Sequence, residues 1–515
     1  MSAATLLTLG GIAVYMLLVF FIAWRAYRRN RGGDATDWYL MGRDTNLFML
    51  VGTLFATWFS TFAFLGGPGT YYLTGVNWLL FGFFNSMGPV LVMLVGPRIW
   101  KLGKQYGFIT PADLLAAYYD DSRRLRWLTA AVCIIVLFPY ASIQLSGISI
   151  AVASISGGLI TYEMCIVGLS VCVAIYALLG GSRAIVWTDA IQGVIFALFL
   201  VATAMLVVSW SGGWTEGWSR AVAAQPQKFA FGADANAGNY MTLMLLWTFG
   251  WILTPHLWQR LYMARSAKTL VTSSVIASFL ALFVVTFSGA VIGFLAMGMD
   301  LPLPGGFTSD ALVPFLYANF MPLAGAAIVV AVFAAGMSTL DSQVISAASV
   351  FARDYYSHRK APVDDQAVLR VSRRFESAFI VLLILFALSD AGRQLLVPLA
   401  SIGVGLALVF LMPLIGALFW PRASEAGAFW AMLAGTVVML GAQFGLRAYL
   451  PGSIGPAMWA LIASAAVFYT VSLLGKPVSR EKQEMFHGFL SRRFPESLES
   501  GQPPAPASRR AEQAA

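Results

Sequence analysis

Positions 334–343 read AAGMSTLDSQ, directly after the apolar run AAIVVAVF. On a helix, with 100° between successive residues, Ser338, Asp341, Ser342 and Ile345 share one face, and Thr339, Gln343 and Ser346 share the adjoining one. Hydroxyls in membrane helices commonly bond back to a carbonyl one turn earlier, or join neighbouring helices. Asp341 is different: a carboxylate within an apolar span is costly unless a partner or a function holds it there. Hydroxyls, a carboxylate and free carbonyls together make an all-oxygen shell, which suits a hard cation and not zinc or copper. A second carboxylate, Asp189, stands in GGSRAIVWTDAIQG. It is placed either to meet a helix dipole and Arg183, or to face Asp341 around a second cation or a shared proton.

The elements that carry these residues are membrane spans. The chain has 515 residues, 59% hydrophobic and 11% charged, with a mean hydropathy of +0.74. Soluble domains carry roughly a quarter of their residues as charges. The apolar residues fall in stretches of about 20, the length that crosses a bilayer core. Thirteen spans are expected, at 4–24, 46–72, 76–97, 127–153, 161–180, 188–210, 241–258, 270–296, 323–351, 375–389, 394–418, 427–446 and 454–474. Two look interrupted. One reads LVGTLFATWFSTFAFLGGPGTYYLTG, with Gly66-Gly67-Pro68-Gly69 near its outer end, and the other LMLLWTFGWILTPHLWQR, with Gly250 and Pro255. Helix breakers at membrane depth free backbone groups that protein, water or an ion must satisfy, and such unwound carbonyls hold cations in many secondary transporters.

Each interrupted span opens a five-helix block, 46–210 and 241–418, the second inverted relative to the first. Residues 1–45 add a helix and loop, 211–240 an outer loop able to act as a partial lid, 419–475 two more helices, and 476–515 a polar tail expected to be disordered. With the N-terminus outside, inside segments hold 29 Lys/Arg and outside ones only Arg220, Lys228, Arg393 and Arg447. That asymmetry puts the C-terminus in the cytoplasm and explains the net charge of +9 without a nucleic-acid partner. Cys133, Cys165 and Cys172 lie in apolar spans and read as small buried hydrophobes. The sequence contains no P-loop, so ATP is not indicated, and no HExxH or Ser/His/Asp order that would suggest an enzyme. Expected partners are the lipid bilayer and a small solute, with no protein partner required.

Four stretches carry a resemblance to the sodium:solute symporter family: MGRDTNLFMLVGTLFATWFSTFAFLGGPGTYY, GGSRAIVWTDAIQ, WTFGWILTPHLWQR and AAGMSTLDSQVISAASVFARDYY. The resemblance implies an all-α inverted-repeat (LeuT-type) fold, cation-coupled symport, and a bacterial inner-membrane location. It carries a sodium site onto the carbonyls of Ala56, Phe59 and Ala335 and the side chains of Ser338 and Thr339. A second cation or proton site maps to Asp189, Ser338, Asp341 and Ser342; Asp341 stands where a sialic acid transporter has Ser. The implied substrate pocket is Trp58, Ser60, Thr61, Tyr140, Gln144, Trp247, Trp251 and Pro255. Trp58 departs from the Asp of proline and the Asn of sugar transporters, whereas GGPG and Gln144 look more like pantothenate and monocarboxylate transporters. No Lys or Arg is expected at midplane depth in either broken helix, and His256 reads as a helix-end hydrogen-bonder rather than a proton relay. Sodium-driven import of a monocarboxylate or pantothenate-like anion is the favoured reading, ahead of proton coupling and of a transporter-like sensor.

Overall fold

The computed structural model describes residues 3–29, 34–232, 237–303, 307–358, 364–393, 395–445, 449–450 and 453–492. Every regular element among them is helical, and nine helices are long and apolar enough to cross a membrane. Two shorter apolar helices, Leu47–Trp58 and Tyr162–Ile175, accompany them. The expected Arg447 and the tail beyond residue 492 lie outside the described residues.

The chain opens with α1 (Ala3–Arg29) and a short α2 (Ala35–Leu40) capped by Asp34. The first interrupted span begins as α3 (Leu47–Trp58), whose N-cap Asn46 accepts from Met49 N at 3.0 Å. The helix stops where Phe59 takes extended backbone, φ −90 and ψ 96. This break lies about two turns before the expected glycines. Gly66 ends a π-helical turn, Phe62–Gly66, and Gly67–Gly69 belong to α4 (Gly67–Thr74). Their small size serves close approach: a Cβ on Gly69 would lie 2.3 Å from the Ser309 carbonyl. Gly75 follows at φ +73, where a side chain would also strike the Lys228 carbonyl in the outer loop.

α5 (Trp78–Tyr106), α6 (Pro111–Tyr118) and α7 (Arg123–Ile155) come next. The spans expected at 161–180 and 188–210 form one kinked element, α8 (Tyr162–Trp210), in which only Gly181 leaves helical geometry, at φ +56. The outer loop holds α9 (Trp214–Ala224). The second interrupted span divides into α10 (Ala237–Leu253) and α11 (Pro255–Met263) around extended Thr254, and Pro255, which lacks an N–H, starts the new helix at no hydrogen-bonding cost. α12 (Ala267–Leu280) and α13 (Phe287–Met297) sandwich a π-helical turn, and α14 (Leu312–Phe320) lies between them and α15 (Gly325–Val350). α15 is buried almost throughout, from Ile328 to Val350 apart from Val330. α16 (Asp365–Ala387), α17 (Leu396–Ala407), α18 (Leu411–Phe419), α19 (Glu425–Gln443) and α20 (Pro456–Leu474) complete the set.

The two broken helices are joined at one end by main chain. Thr45 N donates to Met263 O at 3.1 Å, and Arg265 N to Thr45 O at 3.2 Å. Nearby, Asp113 forms a capping box with Thr110 and accepts from Arg126 at 2.7 Å and Arg353 at 2.8 Å. Burial pushes this carboxyl up, but Arg353 and Arg126 hold it well below the usual range.

Order runs past residue 475, which corrects the expectation of a tail disordered from 476. A short helix, α21 (Arg480–Gln483), leads into a π-helical turn, Glu484–Gly488. Phe486 is fully buried there against Tyr118, Phe108 and Tyr106, at centroid distances of 5.1, 6.2 and 6.3 Å. Tyr106 Oη donates to Met485 O at 2.9 Å, and Lys482 pairs with Asp121 at 2.5 Å. Phe486→Ala is expected to cost about 3–5 kcal/mol of local stability, read as protease sensitivity of the segment after Gly475.

On the opposite end, Asp310 accepts from Leu396 N at 2.8 Å, and burial raises its carboxyl to about 6. A group raised in the folded state binds its proton more tightly there than when unfolded. Its contribution is therefore greatest in acid and falls as pH rises from about 4 to about 6. Melting curves should show that dependence in the wild type and a smaller one in Asp310→Asn.

Candidate functional site

The break in α3 exposes backbone oxygen to α15. Ser338 Oγ donates to Ala56 O at 2.9 Å and to Ala335 O at 3.0 Å. Thr339 Oγ1 donates to the same two carbonyls at 3.1 and 3.4 Å. Four of the five expected sodium ligands, Ala56, Ala335, Ser338 and Thr339, thus converge on one point between two helices. Phe59, the fifth, is the extended residue that ends α3. The donor set is all oxygen and uncharged, which fits a monovalent hard cation better than a divalent one.

One turn further along α15 lies a second cluster. Asp189 on α8 accepts through Oδ2 from Thr53 Oγ1 at 2.5 Å and Thr57 Oγ1 at 3.3 Å. Ser342 Oγ donates to Ser338 O at 2.8 Å and meets Thr57 Oγ1 at 3.2 Å. Sequence reading, which expected no basic residue at midplane depth in either broken helix, placed none from those helices beside these carboxylates. Arg260 of α11 is fully buried, pairs with Asp189 at 3.5 Å, and also donates to Ser342 and to Thr53. Arg183, the other partner considered for Asp189, pairs with Asp37 instead. Asp341 is also fully buried, within electrostatic reach of Asp189 and Arg260, and neither of its oxygens has a hydrogen-bond partner among the described residues.

Arg260 was legible only as one more basic residue flanking a span. The signal that could have found it is the helical register after Pro255. His256 and Arg260 are four residues apart and share a face, and Arg260 Nη1 donates back to His256 O at 3.4 Å. His256 does not act as a helix-end hydrogen-bonder. Its ring nitrogens have no partner among the described residues, and the ring lies 5.7 Å from that of Tyr140.

The expected substrate residues form an aromatic group around the α3 break. Trp58 lies 4.9 Å from Trp251 and 5.5 Å from Trp247, and Tyr140 is 6.3 Å from Trp58. Tyr140 Oη donates to Trp58 O at 2.7 Å, another carbonyl freed by the break. Gln144 accepts from Thr61 Oγ1 at 2.9 Å and donates to Tyr140 O at 2.8 Å. Ser60 Oγ accepts from Phe62 N at 3.4 Å, and Pro255 begins α11 below the indoles. Asn85 of α5, missed from sequence, anchors two of the rings. Its side-chain oxygen accepts from Trp58 Nε1 at 2.8 Å, and its carbonyl accepts from Trp251 Nε1 at 3.0 Å. Trp247 Nε1 is buried and has no partner among the described residues.

The buried ion pair should be expensive to break from one side. Arg260→Gln alone is expected to destabilise by about 3–5 kcal/mol, because it strands Asp189. The double variant Arg260→Gln/Asp189→Asn should lose less than the sum of the singles in a double-mutant cycle, and strict additivity would show that the two do not act as a pair.

Known proteins resemble this chain along most of its length. A sodium/pantothenate symporter of Escherichia coli (strain K12) is 29% identical over 446 residues, covering 83% of this chain and 88% of that protein. A sodium/proline symporter of Salmonella typhimurium (strain LT2) is 25% identical, covering 92% and 93%. Among solved structures, the substrate-bound outward-open state of a Na+-coupled sialic acid symporter superposes with a TM-score of 0.78 at 18% identity, over 92% of this chain and 99% of that one. Residues 38–435 match the profile described as the sodium:solute symporter family. The chain therefore belongs to that family, as an integral membrane transporter rather than an enzyme, coupling the movement of a small solute to Na+.

Proposed function

We propose that this chain imports a small organic anion, a monocarboxylate or a pantothenate-like acid, together with Na+ held by the Ala56, Phe59 and Ala335 carbonyls and the Ser338 and Thr339 hydroxyls. The observation that carries the reading is the meeting of both hydroxyls on the Ala56 carbonyl across the break in α3. An ion there would take over those oxygens and hold α3 against α15. Its charge, and not a basic side chain, would then face a substrate carboxylate among Trp58, Ser60, Thr61, Tyr140, Gln144, Trp247, Trp251 and Pro255. Arg260 lies buried nearby, but its guanidinium is engaged by Asp189 and Ser342. The similarity to sodium/pantothenate symporters supports an organic acid over a sugar. Trp58 supports the same direction, since it brings an apolar ring rather than a polar group to the pocket.

In this reading the N-terminus faces outward and the C-terminus the cytoplasm, as the Lys/Arg distribution favours. Sodium binds from outside, the substrate closes the outer path, and rocking of the broken helices opens the inner one. A proton-coupled variant is the second reading, and the unpartnered Asp341 carboxylate beside Asp189 and Arg260 is what favours it. In that variant, or with a second sodium, Asp189, Asp341 and Ser342 would take the additional cation.

The test is the melting temperature of the purified protein in NaCl against KCl and choline chloride at equal ionic strength. An ion bound only by the folded state raises stability with concentration. A saturable rise with Na+ alone is expected, with the half-saturating concentration raised roughly tenfold or more in Ser338→Ala. A rise unchanged by Ser338→Ala would refute the site. Stability that ignores Na+ but follows pH in a manner abolished by Asp341→Asn would favour protons.

A further inference from the structure

α1 and α8 meet along their length, and where they reach the face bearing most of the Lys/Arg they leave a cleft of about 280 Å³. It is lined by Ile22, Arg25 and Ala26 from α1 and by Arg183 and Trp187 from α8. The polar end of this cleft is cationic. Arg183 pairs with Asp37 at 2.5 Å, and Arg25 has no acidic partner among the described residues. Among the described residues, two guanidiniums at this cleft are thus matched by a single carboxylate. Towards the membrane the cleft turns apolar and outward-facing: Leu18 and Phe21 on α1, and Ile191 and Val194 on α8, are all exposed. Exposed Trp187 and Trp24 sit at the change from one character to the other, with the Arg28 guanidinium 4.0 Å over the Trp24 ring. Indoles gather at that level of a bilayer because their rings are apolar and their N–H is polar.

We infer that this cleft is a binding site for one anionic phospholipid, whose phosphodiester lies between Arg25 and Arg183 and whose acyl chains run down the exposed seam of α1 and α8. Charge complementarity selects the occupant: a zwitterionic headgroup brings its own cation to a place that already holds two, whereas a phosphatidylglycerol head brings only the anion. The lipid would act as a wedge that holds α1 on α8. Trp187 is two residues from Asp189, so the seam continues into the helix that carries the buried Asp189–Arg260 pair. The inference needs the membrane placement but not the sodium site, and the two can fail separately.

Full-length protein purified in a non-ionic detergent, at fixed NaCl, is titrated with dioleoylphosphatidylglycerol, dioleoylphosphatidylcholine or inorganic phosphate while its melting temperature is followed. Phosphatidylglycerol should give a saturable rise, and the other two none. Arg25→Gln and Arg183→Gln should each weaken the apparent affinity roughly five- to tenfold, the effect of one arginine near an anionic head. Asp37→Asn, which breaks the Arg183 pair but keeps both cations, should bind phosphatidylglycerol at least as well as the wild type. An equal response to phosphatidylcholine, or a phosphatidylglycerol response of unchanged affinity in Arg25→Gln, overturns the proposal. A response to inorganic phosphate that matches the lipid overturns it too, in favour of a simple anion site. Should Arg183→Gln fail to fold, Arg25→Gln decides alone, since Arg25 has no ion pair to lose.

Discussion

A single backbone oxygen organises the centre of this protein. In a continuous helix the carbonyl of Ala56 would be spent on the residue one turn later. Because Phe59 leaves helical geometry, that oxygen instead faces α15 and receives the Ser338 and Thr339 hydroxyls. The Trp58 carbonyl, freed by the same break, receives Tyr140. At membrane depth no water competes for such groups, so each freed oxygen must find a partner. The chain supplies those partners from other helices, and the break becomes the place where α3, α7 and α15 hold together.

Charge is handled by the same economy. Asp189 and Arg260 come from different blocks of the sequence and meet with Thr53 and Ser342 around them. A buried pair of this kind adds little to stability compared with an apolar replacement, but removing one member is severe. It therefore specifies an arrangement more than it strengthens one. Asp341 stands beside it without a hydrogen-bond partner among the described residues, so the cluster holds two acids against one base.

Much of this was legible in the residues. Polar side chains in an otherwise apolar α15 had to face something, and they face the helix break that the first interrupted span advertised. The location of that break was misjudged because Gly66–Gly69 look like breakers. Glycine is equally a way to bring backbones together, and here the contact with Ser309 claims Gly69 while the helix runs on. Arg260 and Asn85 were missed for a related reason. Flanking basic residues and lone amides in a span are common, and only tertiary contact reveals that one meets Asp189 and the other holds two indoles. The ordered stretch 476–492 reads as polar tail because its apolar anchors are few and irregularly spaced, Val478, Phe486 and Phe489, too sparse a pattern to register as amphipathic.

The main-chain pairing of Thr45 with Met263 and Arg265 has a further implication for how the molecule works. It fastens the ends of α3 and α11 to each other by peptide groups alone, like two levers pinned at one fulcrum. Neither broken helix can swing at that end without carrying the other. The two broken helices are thereby tied together, and the tie holds for any residue that keeps an N–H at positions 45 and 265. Substitutions elsewhere on either helix leave it in place, because it resides in the backbone itself.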